Sequence, residues 1–447
     1  MLNEPQSRSS VLVVPFPPRS AALGASLLLF LAYILAFADR TVVALLVVPI
    51  ERDLGLTNLQ MGLLQGTAFA LFYALFGLPI AWAVDQYSRR FIAFIGVMTW
   101  SVMTGMAGLS RSFLPFFLAR IGVGAGEATI LPSATSLLAD YLPPLWRGRA
   151  LGLFGSGIYI GSGLAYILGG QILNALNGRS IVVPGLGSLV PWQTVLLSLA
   201  ALGMPVTLAM TLMREPIRRH LIVKKASQGI SFSACLAQAK SALISHMVGF
   251  TALGFAGVAA TVWLPTILVR EHEWSPAHVG TVLGLLTIVI GPLGSCIAGV
   301  IADRLEDRGI RDGKLLVAGV GSLVAIPAAY LLGACRDPLC ILAAAGALLF
   351  SSSLLWGLAP AALQEIVHGS ALGRVVAIYT AILNLVGFGL GPPAVAVIAK
   401  FCFQGNLGEA VDAVVPVATI LALMAFVTGR PGYRAARERL DRGWDGS

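Results

Sequence analysis

Twelve runs of about twenty or more apolar residues, parted by short polar or turn-forming breaks, organise this chain. They extend from Ala21 to Ile50, Leu59 to Val84, Phe91 to Leu109, Phe113 to Tyr141, Gly148 to Leu173 and Pro191 to Met213. A second set extends from Ala242 to Val269, Pro276 to Ala302, Leu315 to Ala334, Leu339 to Ile366, Arg374 to Ala399 and Ala410 to Thr428. A helix needs about 20 such residues to cross the hydrocarbon of a bilayer. The pattern therefore predicts an all-α membrane protein with twelve transmembrane helices.

Composition agrees: 57% of residues are apolar and 11% charged, and mean hydropathy is +0.84. Soluble domains carry about 25% charge. Of the 30 Lys and Arg residues, most fall in alternate loops, at Arg89-Arg90, at Arg147 and Arg149, between Arg214 and Lys240, between Arg304 and Lys314, and from Arg430 onward. The other loops hold only Arg52, Arg111, Arg179, Arg270, Arg336 and Lys400. By the positive-inside rule this asymmetry places both termini in the cytoplasm, with the plasma (inner) membrane as the expected location. It also accounts for the net charge of +9 without nucleic acid. The first span is read as an uncleaved anchor.

The longest polar interval divides the chain into a tail (1–20), a first six-helix half (21–213), a basic linker (214–241), a second half (242–430) and a C-terminal tail (431–447). The halves echo each other. Gly77-Leu-Pro-Ile-Ala-Trp-Ala-Val-Asp85-Gln-Tyr-Ser-Arg89-Arg90 follows the second span as Gly299-Val-Ile-Ala-Asp303-Arg304 follows the eighth. Arg147-Gly-Arg149-Ala150 and Gly373-Arg374 each precede a helix rich in glycine, which lets backbones approach closely. Two such halves match the parallel repeats of major facilitator transporters, with a site between them near mid-membrane.

Four full charges lie inside apolar spans: Asp39 and Arg40 in the first, Arg120 and Glu127 in the fourth. Each costs roughly 2.5–3.5 kcal/mol at membrane depth and so marks function. Arg120 and Glu127 are seven residues apart, within about 20° of one helix face and about 10 Å apart along it. Adjacent Asp39 and Arg40 diverge by about 100°, so one meets the fourth span while the other turns toward substrate. A carboxylate there can carry a proton, which suits Asp39 and Glu127, whereas arginine stays charged and suits an anionic head group, which suits Arg40 and Arg120.

The blocks Asp39-Arg40, Asp85-Gln-Tyr-Ser-Arg89-Arg90, Ala119-Arg120-Ile-Gly-Val-Gly-Ala-Gly126-Glu127-Ala128, Leu138-Ala-Asp140-Tyr-Leu, Ile160-Gly-Ser-Gly163-Leu-Ala-Tyr166-Ile and Trp263-Leu-Pro265 resemble the Spinster family of the major facilitator superfamily, with a bacterial homologue as the expected assignment. Ala81 and Ser88 stand where the superfamily junction has glycines, and Val123 stands where proton-linked antiporters have Gln. The resemblance implies a lipid transporter working by alternating access, and implies gating by Asp85, Arg89, Arg90, Asp140, Asp303 and Glu365.

Further polar or aromatic residues that suit a substrate cavity are Thr67, Ser133, Tyr159, Trp263, Trp356 and Asn384, with Tyr73, Thr261 and Tyr379 as weaker candidates. Trp192 and Trp274 fit an interfacial belt, and the histidines show no metal spacing. Five scattered cysteines exclude a disulfide scaffold; whether Cys335 and Cys340 are bridged stays open, with two unbridged residues at helix ends the simpler reading. No phosphate-binding loop, nucleophile motif or cofactor fingerprint occurs, so neither enzyme nor cofactor is implied.

The expected function is a proton-coupled secondary transporter, acting as a monomer, for a lysophospholipid or sphingolipid-like amphiphile. The alternative is a proton-coupled symporter of small organic anions such as sugar acids, because anion:cation symporters have a similar Asp-Arg pair and a similar Arg and Glu. A third reading, a channel or sensor, conflicts with paired gating motifs in both halves.

Overall fold

The structure is a computed structural model that describes residues 16–185, 187–218, 232–367 and 369–442. Most of the N-terminal tail, the middle of the linker, His368 and the last five residues lie outside it.

Among the described residues, twelve helices are long and apolar enough to span a membrane. Spans 1 to 6 are Arg19–Leu45, Asn58–Gln86, Arg89–Gly108, Phe113–Tyr141, Pro144–Leu176 and Pro191–Leu212. Spans 7 to 12 are Lys240–Arg270, Pro276–Asp307, Gly313–Ala334, Pro338–Gln364, Ala371–Cys402 and Leu407–Asp441. With an even number of crossings, span 1 begins and span 12 ends at the same end of the bundle, here called the termini end. The opposite end is the distal end.

Several spans outrun their apolar runs. Span 12 continues past Thr428 to Asp441 because Arg430, Arg434 and Arg437 are used structurally: Arg430 and Arg434 hold Asp312, and Arg437 reaches Glu306. The loop between spans 5 and 6 carries a two-stranded ribbon, Ile181–Val183 paired with Gly187–Leu189, that hydropathy gave no hint of. Cys335 and Cys340 are disulfide-bonded across the loop between spans 9 and 10, against the simpler reading of two unbridged residues. Trp192 is buried against Phe116 and donates to Asp53 Oδ2 at 3.1 Å, so it is a core residue rather than part of a belt. His246 is wholly buried within span 7 between Phe250 and Tyr379.

The two halves meet along two seams. In one, span 5 crosses span 8 so closely that a Cβ on Gly284 would lie 2.6 Å from the Gly163 carbonyl, and one on Gly170 would lie 3.0 Å from the Pro276 carbonyl. In the other, a Cβ on Gly66 would lie 2.9 Å from the Gly389 carbonyl, joining spans 2 and 11. Only glycine permits such backbone contact. Span 11 carries a π-helical turn over Leu383–Phe388 beside this seam, a form common at functional sites.

Polar links between the halves run from mid-depth to the distal end: Tyr159 with Ser295 (2.6 Å), Thr67 with the Gly389 carbonyl (2.8 Å), Gln171 with Thr281 (3.1 Å), Arg270 with Asn58 (2.8 Å) and Arg270 with Glu51. Nearer the termini end, no side-chain hydrogen bond or ion pair joins the halves among the described residues. Gly148, Gly155 and Gly299, at the termini ends of spans 5 and 8, face open space. The bundle is closed distally and parted toward its termini.

Candidate functional site

Span 4 is pulled into the first half by two glycines. A Cβ on Gly126 would lie 2.9 Å from the Gly96 carbonyl, and Gly124 sits against the Phe69 carbonyl of span 2, within 2.5 Å of where its Cβ would be. The α-helix then breaks at Ala128–Thr129 before resuming at Ile130, which sets Glu127 at a helix end facing span 1.

The four intramembrane charges form two pairs. Arg40 Nη2 donates to Glu127 Oε2 at 2.9 Å. Arg120 Nη1 lies 3.9 Å from Asp39 Oδ1, while Thr104 Oγ1 donates to Asp39 Oδ2 at 2.6 Å. The sequence expectation that one of Asp39 and Arg40 meets span 4 is exceeded, since both do, and only Arg40 also reaches the cavity. Asp39, Arg120 and Glu127 are almost fully buried, whereas the Arg40 side chain retains 21% exposure. Glu127 Oε1 and Arg120 Nε and Nη2 have no hydrogen-bond partner among the described residues. Buried polar groups are nearly always satisfied, so these atoms mark a cluster able to re-pair.

Arg40 is gripped by aromatic faces, with its guanidinium carbon 4.1 Å from the Phe69 ring centre, 4.7 Å from Phe37 and 5.5 Å from Tyr73. These contacts stabilise a desolvated cation by about 1–2 kcal/mol. The guanidinium is thereby presented at the wall of a central cavity of about 1120 Å³, its open mouth included. Both halves build that cavity, and Arg40 is the one charged residue among those lining it.

Of the residues singled out from sequence, Tyr159, Trp356 and the weaker candidate Thr261 line the cavity with Arg40. Others serve structure. Thr67 bonds across the seam. The Trp263 ring N–H donates to the Pro392 carbonyl at 3.0 Å, and Asn384 Nδ2 donates to the Thr380 carbonyl at 2.8 Å. Ser133 and Arg120 are buried away from the cavity wall. Gln65, Ser162 and Ser352 line it and were not singled out. Gln65 could have been, as an amide within an apolar run; its Oε1 and Nε2 are buried at the cavity wall without a partner among the described residues.

The gating candidates separate into rivets and unengaged groups. Arg89 is fully buried, bonded to Asp140, to Glu215 at 2.7 Å and to Ser136 Oγ at 3.1 Å, and it fastens spans 3, 4 and 6. Arg90 donates to the Met213 carbonyl at 2.6 Å. Glu365 pairs with Lys314 and accepts from Tyr433 at 2.6 Å, all within the second half. The Asp85 and Asp303 carboxylates are exposed and form no ion pair among the described residues, as the parted termini end requires. Arg218 instead donates to the carbonyls of Val84, Asp85 and Tyr87, satisfying the end of span 2.

Comparison with known proteins agrees with this architecture. A sequence profile described as Major Facilitator Superfamily matches residues 29–392. An MFS-type efflux pump of Mycolicibacterium smegmatis is 28% identical over 69% of this chain and 68% of its own length. Protein spinster of Drosophila melanogaster is 26% identical over 67% of this chain, and the match spans about half of the fly protein, 48%. Protein spinster homolog 1 of Xenopus tropicalis is 26% identical over 85% of this chain and 73% of its own. A probable L-galactonate transporter of Escherichia coli is 25% identical over 64% and 62%. Among solved structures, a bacterial homolog of the human lysosomal transporter Spinster, inward-facing and occupied, superposes with a TM-score of 0.75 at 26% identity, covering 96% of this chain and 100% of that one. Twelve spans in two halves, a central cavity between them and these matches together place the chain in the Major Facilitator Superfamily, as an integral membrane transporter and not an enzyme, with its resemblance to Spinster proteins borne out.

Proposed function

We propose that this protein is a proton-coupled secondary transporter of an anionic amphiphile, of the lysophospholipid or sphingolipid class, working by alternating access in the inner membrane with both termini in the cytoplasm. Its two halves, residues 21–213 and 242–430, rock about the closed distal seams, and the chain acts as a monomer. The observation that carries this reading is the single exposed-faced cation, Arg40, in an otherwise uncharged and largely apolar cavity. A phosphate-bearing head suits the guanidinium, and an alkyl chain suits the surrounding Phe37, Phe69, Val258 and Trp356 surface.

Coupling follows from competition. Glu127 and an anionic head group both need Arg40, and the guanidinium cannot serve both fully. A proton arriving on Glu127 breaks its pair and releases Arg40 to substrate; loss of that proton restores the pair and expels the head group. Asp39 and Arg120 form the second, deeper pair that can accept charge rearrangement. Closing the parted end would bring Asp85 and Asp303 into ion pairs that the described residues do not form in the present state. Gln65, with an unpaired amide at the cavity wall, orients the head group.

A second reading, symport of small sugar acids, is favoured by the hydroxyl and amide groups at Thr41, Gln65, Ser162, Thr261 and Ser352, and by the galactonate relative. The test is uptake into proteoliposomes of labelled lysophospholipid and of labelled galactonate, with and without an imposed pH gradient. Gradient-dependent uptake of the lipid alone is the expected result. Uptake of galactonate alone would overturn the amphiphile reading and keep the Arg40–Glu127 mechanism.

A further inference from the structure

Outside the central cavity, the termini end of the bundle carries two grooves in equivalent places of the repeat. One lies between spans 1 and 6, the other between spans 7 and 12. The second occupies about 1370 Å³ with its open side included. Its floor is built by close helix approach: a Cβ on Gly432 would meet Ser241 Oγ at 2.6 Å, and Ser245 Oγ donates to the Ala425 carbonyl at 2.6 Å.

The groove is graded in depth. Lys240 opens span 7, Arg439 lies near the close of span 12, and both sit at its mouth. One and more turns deeper lie Ile244, Leu421 and Met424, all exposed on the outer face of the bundle. Arg439 is held over the mouth, since its Nη1 donates to the Gln238 carbonyl at 2.7 Å. Among the described residues no carboxylate lines this groove, and the positive end of the span 7 helix dipole lies at the same level. The sister groove differs where it matters: its one cation among the described residues, Arg214, is accompanied by Glu215, which is itself bonded to Arg89 and Arg90.

We propose that the groove between spans 7 and 12 binds one anionic diacyl phospholipid of the surrounding bilayer, its phosphate between Lys240 and Arg439 and its chains along Ile244, Leu421 and Met424. A cationic pair above an apolar furrow matches the order of charge and hydrocarbon along such a molecule. Basic pockets between helices on this side of a membrane protein are suited to acidic head groups. The lipid would brace span 12 against span 7 within the second half, and this site is separate from the one that takes the transported substrate.

The test is native mass spectrometry of the full-length protein in detergent, titrated with phosphatidylglycerol or phosphatidylcholine. The expected result is one retained phosphatidylglycerol in preference to phosphatidylcholine, with the preference falling about tenfold in Lys240→Gln/Arg439→Gln, the scale of two cations at a membrane surface. Ile244→Trp, which fills the furrow and leaves both cations, should lose the adduct as well. Arg214→Gln in the sister groove and Arg40→Gln in the central cavity should keep it. Retention of the adduct by the double variant, or its loss in Arg40→Gln alone, would overturn the site. Retention in Ile244→Trp would reduce it to surface attraction without a groove and overturn it equally.

Discussion

The two halves share a topology but divide the chemistry. The first half buries four charges at mid-depth, paired as Arg40 with Glu127 and Arg120 with Asp39. The second buries none at that level; its ion pairs gather at the termini end, where Arg430, Arg434 and Arg437 of span 12 and Lys314 of span 9 clasp Asp312, Glu306 and Glu365. On the proposed mechanism the first half changes protonation, and it keeps its charges dry and partly unsatisfied. The second half keeps its charges at the rim, where a network of ion pairs around the buried Asp312 and Lys314 ties helix ends together. The cavity lies between, with its one charge from the first half and much of its apolar wall from the second.

The sharpest way to break this contrast is to remove its charge. Arg40→Ala should reduce uptake to background and leave Glu127 buried without a counter-charge, a loss of roughly 3 kcal/mol or more, read by transport and thermal unfolding of the purified protein. Glu127→Gln should abolish uptake driven by a pH gradient while sparing substrate exchange, because the amide keeps shape but carries no proton. Gradient-driven uptake left intact in Glu127→Gln would remove that carboxylate from coupling. Charge-neutral changes at Glu306 or Lys314, by contrast, should lower stability without altering the pH dependence of uptake.

Next in size is the seam between the halves. Gly284→Leu puts a side chain where the Gly163 carbonyl stands, and overpacking of this kind costs about 1–3 kcal/mol. The cost falls on the distally closed state alone, so the expected result is a population opened at the distal end. Spin labels at Arg52 and Gln404 would report it as a lengthened distance between the halves. An unchanged distance with normal uptake would mean that the seam has room to yield. Smaller again is the effect of Cys335→Ser/Cys340→Ser. The bridge closes a loop of sequence separation 5, so its loss should lower stability by about 2 kcal/mol at most and leave uptake unchanged.

Much of this was legible in the chain because a bilayer leaves few options. Runs of apolar residues had to be spans, and Asp39, Arg40, Arg120 and Glu127 stood out because charges there are costly. The glycine-rich fifth and eleventh spans, Gly163 and Gly389 among them, marked close helices, although nothing in their spacing told which partner each would touch, and Gly66 was not singled out. Pairing was not legible: Arg40 turns to Glu127 and Asp39 to Arg120, a choice set by how spans 1 and 4 lie against each other, which spacing along either span does not give. Hydroxyl and aromatic residues were the weakest reading. Thr67, Trp263 and Asn384 satisfy backbone carbonyls, and only a three-dimensional account of donors separates them from Tyr159 and Trp356. The arginines of span 12 were counted as a topology signal, and their role as a clasp depends on Asp312, Glu306 and Glu365 being brought beneath them by other spans.

The mildest expected effect tests the first half's own rim, at Glu215 in the segment after span 6. Burial pushes this carboxyl up, but the Arg90 backbone N–H, the Arg89 side chain and the Ser88 hydroxyl outweigh it and hold it below the usual carboxylate range. A carboxyl held low in the folded state adds stability that is present above its ordinary titration range and is lost as pH falls through the depressed value. Acidification from neutral toward the low end of that range should therefore loosen the junction of spans 3 and 6. Glu215→Gln should lower stability by about 1 kcal/mol at neutral pH, the carboxylate being 31% exposed and so partly screened. The variant should also show a shallower loss on acidification than the unaltered chain. Thermal unfolding across that pH range measures both, and equal slopes would mean that Asp140, Ser136 and the Pro216 carbonyl hold Arg89 without need of Glu215, leaving this junction of the first half insensitive to that carboxylate where the second half's clasp is built on three.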